Sequence, residues 1–194
     1  YTRDVDGSPK RPYDMSTDNI SEYMGVDVKP VGTDVMSGLT VVADKVHSLG
    51  DVVGSANGYV IDGRLNEAFT AVNLLWDAGV DVSRIDEDGN GLRAGDFIIP
   101  AVGQGDLLGN IARETGVNFK ALAMTADGLG RPMERLKVGL YGRYLAGNMD
   151  EGWTRFLLEQ YKFPFDQLYD KDLTNSNLRK YDVVIMPSDN MARL

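Results

Sequence analysis

The sequence predicts an α/β chain of two modules: a small α+β module of order β-α-β-β-α-β, then the first half of a doubly wound parallel sheet. Three observations lead there. Between residues 58 and 122, short apolar runs of strand length alternate with two stretches of helical periodicity. From residue 137 onward, β-favouring runs flank a strong helix signal and a shorter helical stretch, the rhythm of a parallel sheet. The 22 glycines among 194 residues are spread through the chain, which marks turns rather than a low-complexity linker.

Residues 1–30 read as an ordered linker. Ser8-Pro9-Lys10-Arg11-Pro12 resists helix, and Tyr13, Tyr23, Met24 and Val26 could pin the stretch to a neighbouring surface. Residues 31–131 then form the α+β module. Leu39-Thr40-Val41-Val42 and Val52-Val53 suggest short strands. Gly58-Tyr59-Val60-Ile61 is a strand, followed by a helix whose Leu65, Phe69, Val72, Leu75 and Trp76 share a face, with Gly79 at its end. Val80 to Ile85 alternates like a strand, and the turn Asp86-Glu87-Asp88-Gly89-Asn90-Gly91 leads to Asp96-Phe97-Ile98-Ile99. Pro100 makes that strand short or places it at an edge. A second helix carries Leu107, Leu108, Ile111 and Ala112 and ends at Gly116; Val117 to Leu122 closes the unit as a strand. The whole is the order of a split βαβ sandwich.

Asp127 to Pro132 reads as a connector to the second module, residues 132–194. Lys137 to Tyr141 is its first strand. Asn148 caps a helix with Asp150 and Glu151 beside the positive end of its dipole, and Trp153, Phe156, Leu157 and Tyr161 form the stripe expected to be buried. Pro164 stops it, and Phe165–Tyr169 and Tyr181–Met186 supply two more strands. Three strands make a small parallel sheet, so the module reads as cut short. Likewise Tyr1 opens without a basic-then-apolar leader, so any leader is expected to lie upstream or to have been removed.

Composition narrows the chemistry. A net charge of −9 disfavours binding to a phosphate backbone, so nucleic acid is not expected as a partner. No apolar run reaches the roughly 20 residues that span a bilayer. The absence of Cys removes thiol nucleophiles, thiolate zinc ligands and disulfides together. The one His, His47, has no carboxylate at helical spacing and cannot complete a hydrolytic zinc site or a serine triad; it reads as a structural residue. No catalytic, cofactor-binding or metal residue is therefore assigned. Gly103-Gln104-Gly105-Asp106-Leu107-Leu108-Gly109 opens a helix after an apolar run, with Asp127 further on, as a dinucleotide loop would. Asp106 would set a negative charge beside the pyrophosphate, however, so a tight helix start is the better reading. Asp150 and Glu151 are adjacent and point about 100° apart, which suits capping better than acid–base pairing. They nonetheless lie at the carboxyl end of a strand, where doubly wound sheets bind ligands, and Arg143 in the same loop could complete a polar pocket.

The stretches KVGLYGRYLAGNMDEGWTRFLLEQYKFPF and LRKYDVVIMPS resemble the C-terminal region of bacterial zinc carboxypeptidase-like proteins of the carboxypeptidase A superfamily. Met149 to Arg155 is the most specific part. Supporting matches run over Arg11–Met15, Met24–Val28, Gly58–Asp62 and Asn66–Val80, so the resemblance touches most of the chain. It implies a class I glutamine-amidotransferase-like, flavodoxin-like domain downstream of a peptidase domain, with the zinc and its ligands upstream. No catalytic residue carries over, and with no Cys glutaminase chemistry does not carry over either. The implied role is a non-catalytic accessory region that packs against the carboxypeptidase domain or holds a homo-oligomer together. The implied location is periplasmic or extracellular. The alternative is a small-molecule-binding module whose site lies near the loop 142–151, with Arg143, Asp150 and Glu151 as its candidates.

Overall fold

In a computed structural model of the chain, residues 48–101, 106–143, 147–175 and 178–188 are described throughout, with residues 5–7, 27, 29, 31–33, 37, 38, 40, 41 and 43 besides. By its contacts the chain divides into two units, residues 1–45 and residues 46–194. The expected linker residues Ser8–Pro12, Tyr13, Tyr23, Met24 and Val26 lie outside the described residues, as do His47, Leu39 and Val42. Thr40 and Val41 are exposed and in no strand. Val52 contributes a single parallel bridge to Phe119.

In the second unit, strands β1 (Tyr59–Ile61), β2 (Val82–Arg84), β3 (Phe97–Ile99), β4 (Lys120–Ala121) and β5 (Arg131–Met133) form one antiparallel sheet in the order β4-β1-β3-β2-β5. Helix α1 (Asn66–Asp77) joins β1 to β2, and α2 (Leu107–Thr115) joins β3 to β4. Each strand–helix–strand unit leaves room for one strand between its own two, which is the expected split βαβ topology.

The helices are amphipathic, and their ends explain their lengths. Ala68, Ala71, Val72 and Leu75 of α1 are buried against the sheet with Leu108, Ile111 and Ala112 of α2. At the end of α1, Gly79 takes φ +74°; its N–H donates to the Trp76 carbonyl at 3.0 Å and the Val80 N–H to Leu75 at 3.0 Å. This paired closure satisfies the last carbonyls of the helix. Gly116 ends α2 in the same left-handed region, and a Cβ there would lie 2.6 Å from the Ser48 carbonyl oxygen.

Two expectations change here. Pro100 does follow a strand of only three residues, yet β3 is central in the sheet and not at its edge. The proline sits one position past the last paired residue, so no ladder bond is lost. Arg131 and Pro132, expected in a connector, lie in β5 and pair with Arg84 and Ser83. As an edge strand β5 tolerates a proline.

The chain then builds a three-stranded parallel sheet of β6 (Val138–Tyr141), β7 (Phe165–Leu168) and β8 (Val183–Ile185), with β6 in the middle. Helix α3 (Met149–Gln160) links β6 to β7; α4 (Asp170–Asn175) and a 3-10 turn (Leu178–Lys180) lead to β8. Asn148 caps α3 as expected, its Oδ1 accepting the Asp150 N–H at 2.9 Å. The expected buried stripe of α3 is overturned. Trp153 is 62% exposed, Phe156 51% and Leu157 53%, Tyr161 is half-buried, and the helix has no buried residue. Its less exposed side is Glu151, Thr154 and Leu158. Periodicity identifies an apolar face; it does not say that the sheet beneath is what covers it.

Asn73, fully buried on α1, joins the two sheets' surroundings. Its Nδ2 donates to the Tyr161 carbonyl at 2.9 Å, and Arg135 reaches both the Asn73 carbonyl (3.2 Å) and Asp77 (2.6 Å). Phe69 and Phe163 stack nearby with ring centres 6.4 Å apart. Asn73→Asp should therefore place a charge where water cannot reach it, costing about 3 kcal/mol or more at pH 7. Burial raises the new carboxyl's pKa, so the loss should shrink toward pH 4, where a protonated oxygen can again donate to Tyr161. Urea denaturation of both proteins at the two pH values checks this.

Candidate functional site

The expected ligand site lies at the carboxyl end of β6. The chain leaves β6 for β7 on one side and returns past it to β8 on the other, so its two connections run in opposite directions. In open α/β sheets the crevice at such a reversal, beyond the carboxyl ends of the strands, is where ligands bind. One contact spans it: the Asn148 Nδ2 donates to the Ser188 carbonyl at 2.9 Å, tying the loop after β6 to the chain after β8.

Gly142 forms the floor. Its N–H donates to the Leu168 carbonyl at 2.9 Å. A Cβ at this position would fall 2.6 Å from Gln167 Nε2 and 3.3 Å from the Glu151 Cγ. Both polar side chains therefore use the space a side chain at 142 would fill. Gln167 is held in turn by its Nε2, which donates to the Leu140 carbonyl at 3.1 Å.

The three residues singled out in the sequence part company here. Arg143 is half-buried, and its Nη2 donates to the Gly147 carbonyl at 2.6 Å, bracing its own loop. Asp150 is exposed and serves the start of α3 through its backbone. Glu151 turns inward, its side chain only 12% exposed, and meets Arg155 one helical turn on at 3.8 Å. The helix N-terminus carries a partial positive charge, but Asn148 occupies one of its N–H groups and two carboxylates already stand in its first turn. The arrangement can hold a polar group by hydrogen bonds. Sequence reading missed Gln167, Asn148's second bond and the Tyr141 hydroxyl, which donates to Asp170 at 2.5 Å. Gly142, directly after an apolar strand, was the one available signal.

Gly103, Gln104 and Gly105 of the candidate nucleotide loop lie outside the described residues, while Asp106 precedes α2 without a side-chain capping bond. Among the described residues no group of three or more His, Cys, Asp or Glu side chains is placed to hold a metal ion, and no helix is long and apolar enough to cross a membrane.

No family model matches the chain, and no curated protein or solved structure matches it.

Two other polar clusters stand apart. At the opposite, amino end of the parallel strands a cavity of about 420 Å³ is lined by Arg135, Lys137, Phe165, Asp166, Lys180 and Tyr181, among others. The Tyr181 hydroxyl donates to Asp166 at 2.8 Å, and the Lys180 amine is held above its usual range by Tyr181 first and Asp166 after it. Two cations of this cavity are paired, Arg135 with Asp77 at 2.6 Å and Lys180 with Asp166 at 3.6 Å, and the backbone N–H of Lys137 donates to Asp182 at 2.8 Å. Beside β1, Asp62 takes bonds from Arg64 Nε at 2.9 Å and Nη2 at 2.5 Å, while Asp96 accepts the N–H groups of Gly63 and Arg93. Hydrogen bonding from Arg64 holds the Asp62 carboxyl far below the usual carboxylate range.

Two outcomes follow. Gly142→Val should dislodge Gln167 and Glu151, lowering stability by about 1–3 kcal/mol in chemical denaturation. Because the Asp62 carboxyl titrates lower when folded than unfolded, its contribution is complete above pH 4 and is lost as pH falls below it. Asp62→Asn should therefore reduce the steepness of the stability–pH curve between about pH 4 and 2. The effect should be modest, since Arg64 is largely exposed. Thermal unfolding across that range measures it.

Proposed function

We propose that this chain is a non-catalytic accessory region of a secreted zinc-carboxypeptidase-like protein, lying downstream of the peptidase domain and packing against it. The reading is supported by the motifs around Met149–Arg155 and by a composition with one imidazole and no thiol. The observation that carries it is the outer face of α3, where Met149, Trp153, Phe156 and Leu157 all meet solvent. A helix that turns its larger apolar side outward is arranged to be covered. On this reading the second module is the opening of a flavodoxin-like, amidotransferase-like sheet, the protein is exported, and zinc belongs to the upstream domain.

The purified chain should release no C-terminal amino acids from peptides and should hold no stoichiometric zinc by elemental mass spectrometry. Chelator-sensitive release of C-terminal residues by the chain alone would overturn the reading.

A second reading is favoured by the Asn148–Ser188 tie across the strand-order reversal and by the inward Glu151. In it, the loop 142–151 binds a small polar metabolite. Trp153, one turn from Asp150, makes a convenient reporter: L-glutamine titrated onto the chain should change its fluorescence, and Glu151→Gln should weaken the response. A flat titration up to about 10 mM would count against a site of even millimolar affinity.

A further inference from the structure

We infer that the outer face of α3 is the docking surface for a partner segment that is apolar at its centre and basic at its edges. This deepens the packing role proposed above and rests on it. Met149, Trp153, Phe156 and Leu157 recur at helical spacing and fall within about 100° of one another around the axis. They are 79%, 62%, 51% and 53% exposed, and the Trp153 and Phe156 rings already meet edge to face at 5.9 Å. Aromatic side chains so arranged are typical anchors of an interface.

Charge selects the occupant. Asp150 lies at one margin of the stripe, one turn from Trp153, and Glu159 at the other, one turn from Phe156. Both are exposed. The helix has a single cation, Arg155, which falls on the opposite side and meets the inward Glu151 at 3.8 Å. Lys162, just past the helix, pairs with Glu114 at 2.7 Å. The charges nearest the stripe on α3 are thus both acidic, with Arg155 further round the helix beyond Glu159, on a chain of net charge −9. A second copy would bring carboxylates to carboxylates with no cation from either helix between them. A partner with Lys or Arg beside its apolar residues meets both requirements at once.

The test uses the full chain and a fluorescein-labelled amphipathic peptide, about 15 residues long, with leucine on one face and lysine on the other. Anisotropy should report saturable binding that weakens about three- to tenfold as salt rises from about 0.05 to 0.3 M. Phe156→Ser and Leu157→Ser, at exposed positions that leave the fold intact by circular dichroism, should each weaken it about tenfold. The inference is overturned if the variants bind like the parent chain, or if a leucine/glutamate peptide binds as tightly. It is also overturned if sedimentation shows a dimer that Phe156→Ser dissolves, or if the face instead partitions onto phosphatidylcholine vesicles. Peptidase activity in the chain alone would sink the accessory role while leaving this titration unchanged, so the two failures are separable.

Discussion

The central strand β3 sets the terms for the first module. Phe97, Ile98 and Ile99 are all buried, so both faces of the sheet must be covered. On one side α1 and α2 supply Ala71, Val72, Leu75 and Ile111 around Phe97 and Ile99. On the other no helix is found among the described residues; Ile98 meets Ile85 and Leu122, with Ala126 and Leu129 from the loop beyond β4. That loop must come back close to the strands. At Gly130, φ +70°, a Cβ would stand 2.6 Å from the Arg84 carbonyl oxygen, so only glycine lets it approach. Ile98, 2% exposed, gains about 1.5–3 kcal/mol from being covered in this way, while Ala126 and Leu129 themselves stay partly exposed.

An acidic chain must also place carboxylates near this core without stranding them. Asp96 is 8% exposed and is satisfied by two backbone N–H groups, which also fix the turn leading into β3. Its partner Gly63 is pressed so closely on Gly95 that a Cβ would overlap the Gly95 carbonyl oxygen. Asp62 and Arg64 close the same corner from the solvent side. The corner is polar because the backbone there needs acceptors, and it supplies no arrangement that points to a reaction.

Much of the first module was legible because its signals are local. Val72 and Leu75 of the α1 stripe, with Phe69 and Trp76 partly buried beside them, the left-handed Gly79 and Gly116, and the short run before Pro100 each report on a few neighbouring residues. Leu65, expected on the same stripe, instead precedes the helix and is 42% exposed. What failed to show was relational. Nothing in Arg131-Pro132-Met133 announces that it pairs with β2 across some 50 residues of chain. The pattern around Trp153 correctly described an apolar face, yet the contacts that would bury it are not among those made within the described residues. The candidate site was half legible. Arg143, Asp150 and Glu151 share one loop and helix start, but Arg143 turns back onto the Gly147 carbonyl and Glu151 turns in over Gly142 beside Gln167 of another strand, a difference that residue type and spacing do not carry.

The two outer strands of the parallel sheet are not equivalent. Strand β7 carries one charge, the largely exposed Asp166, whose carboxylate reaches across the sheet to Tyr181 and Lys180 ahead of β8. On β8, Val183, Val184 and Ile185 carry no charge at all, and Val183 is 39% exposed. Peptide groups along such an unguarded margin are a template for another strand. Extension of this sheet is therefore directional: a newcomer would meet one charged side chain along β7 and none along β8.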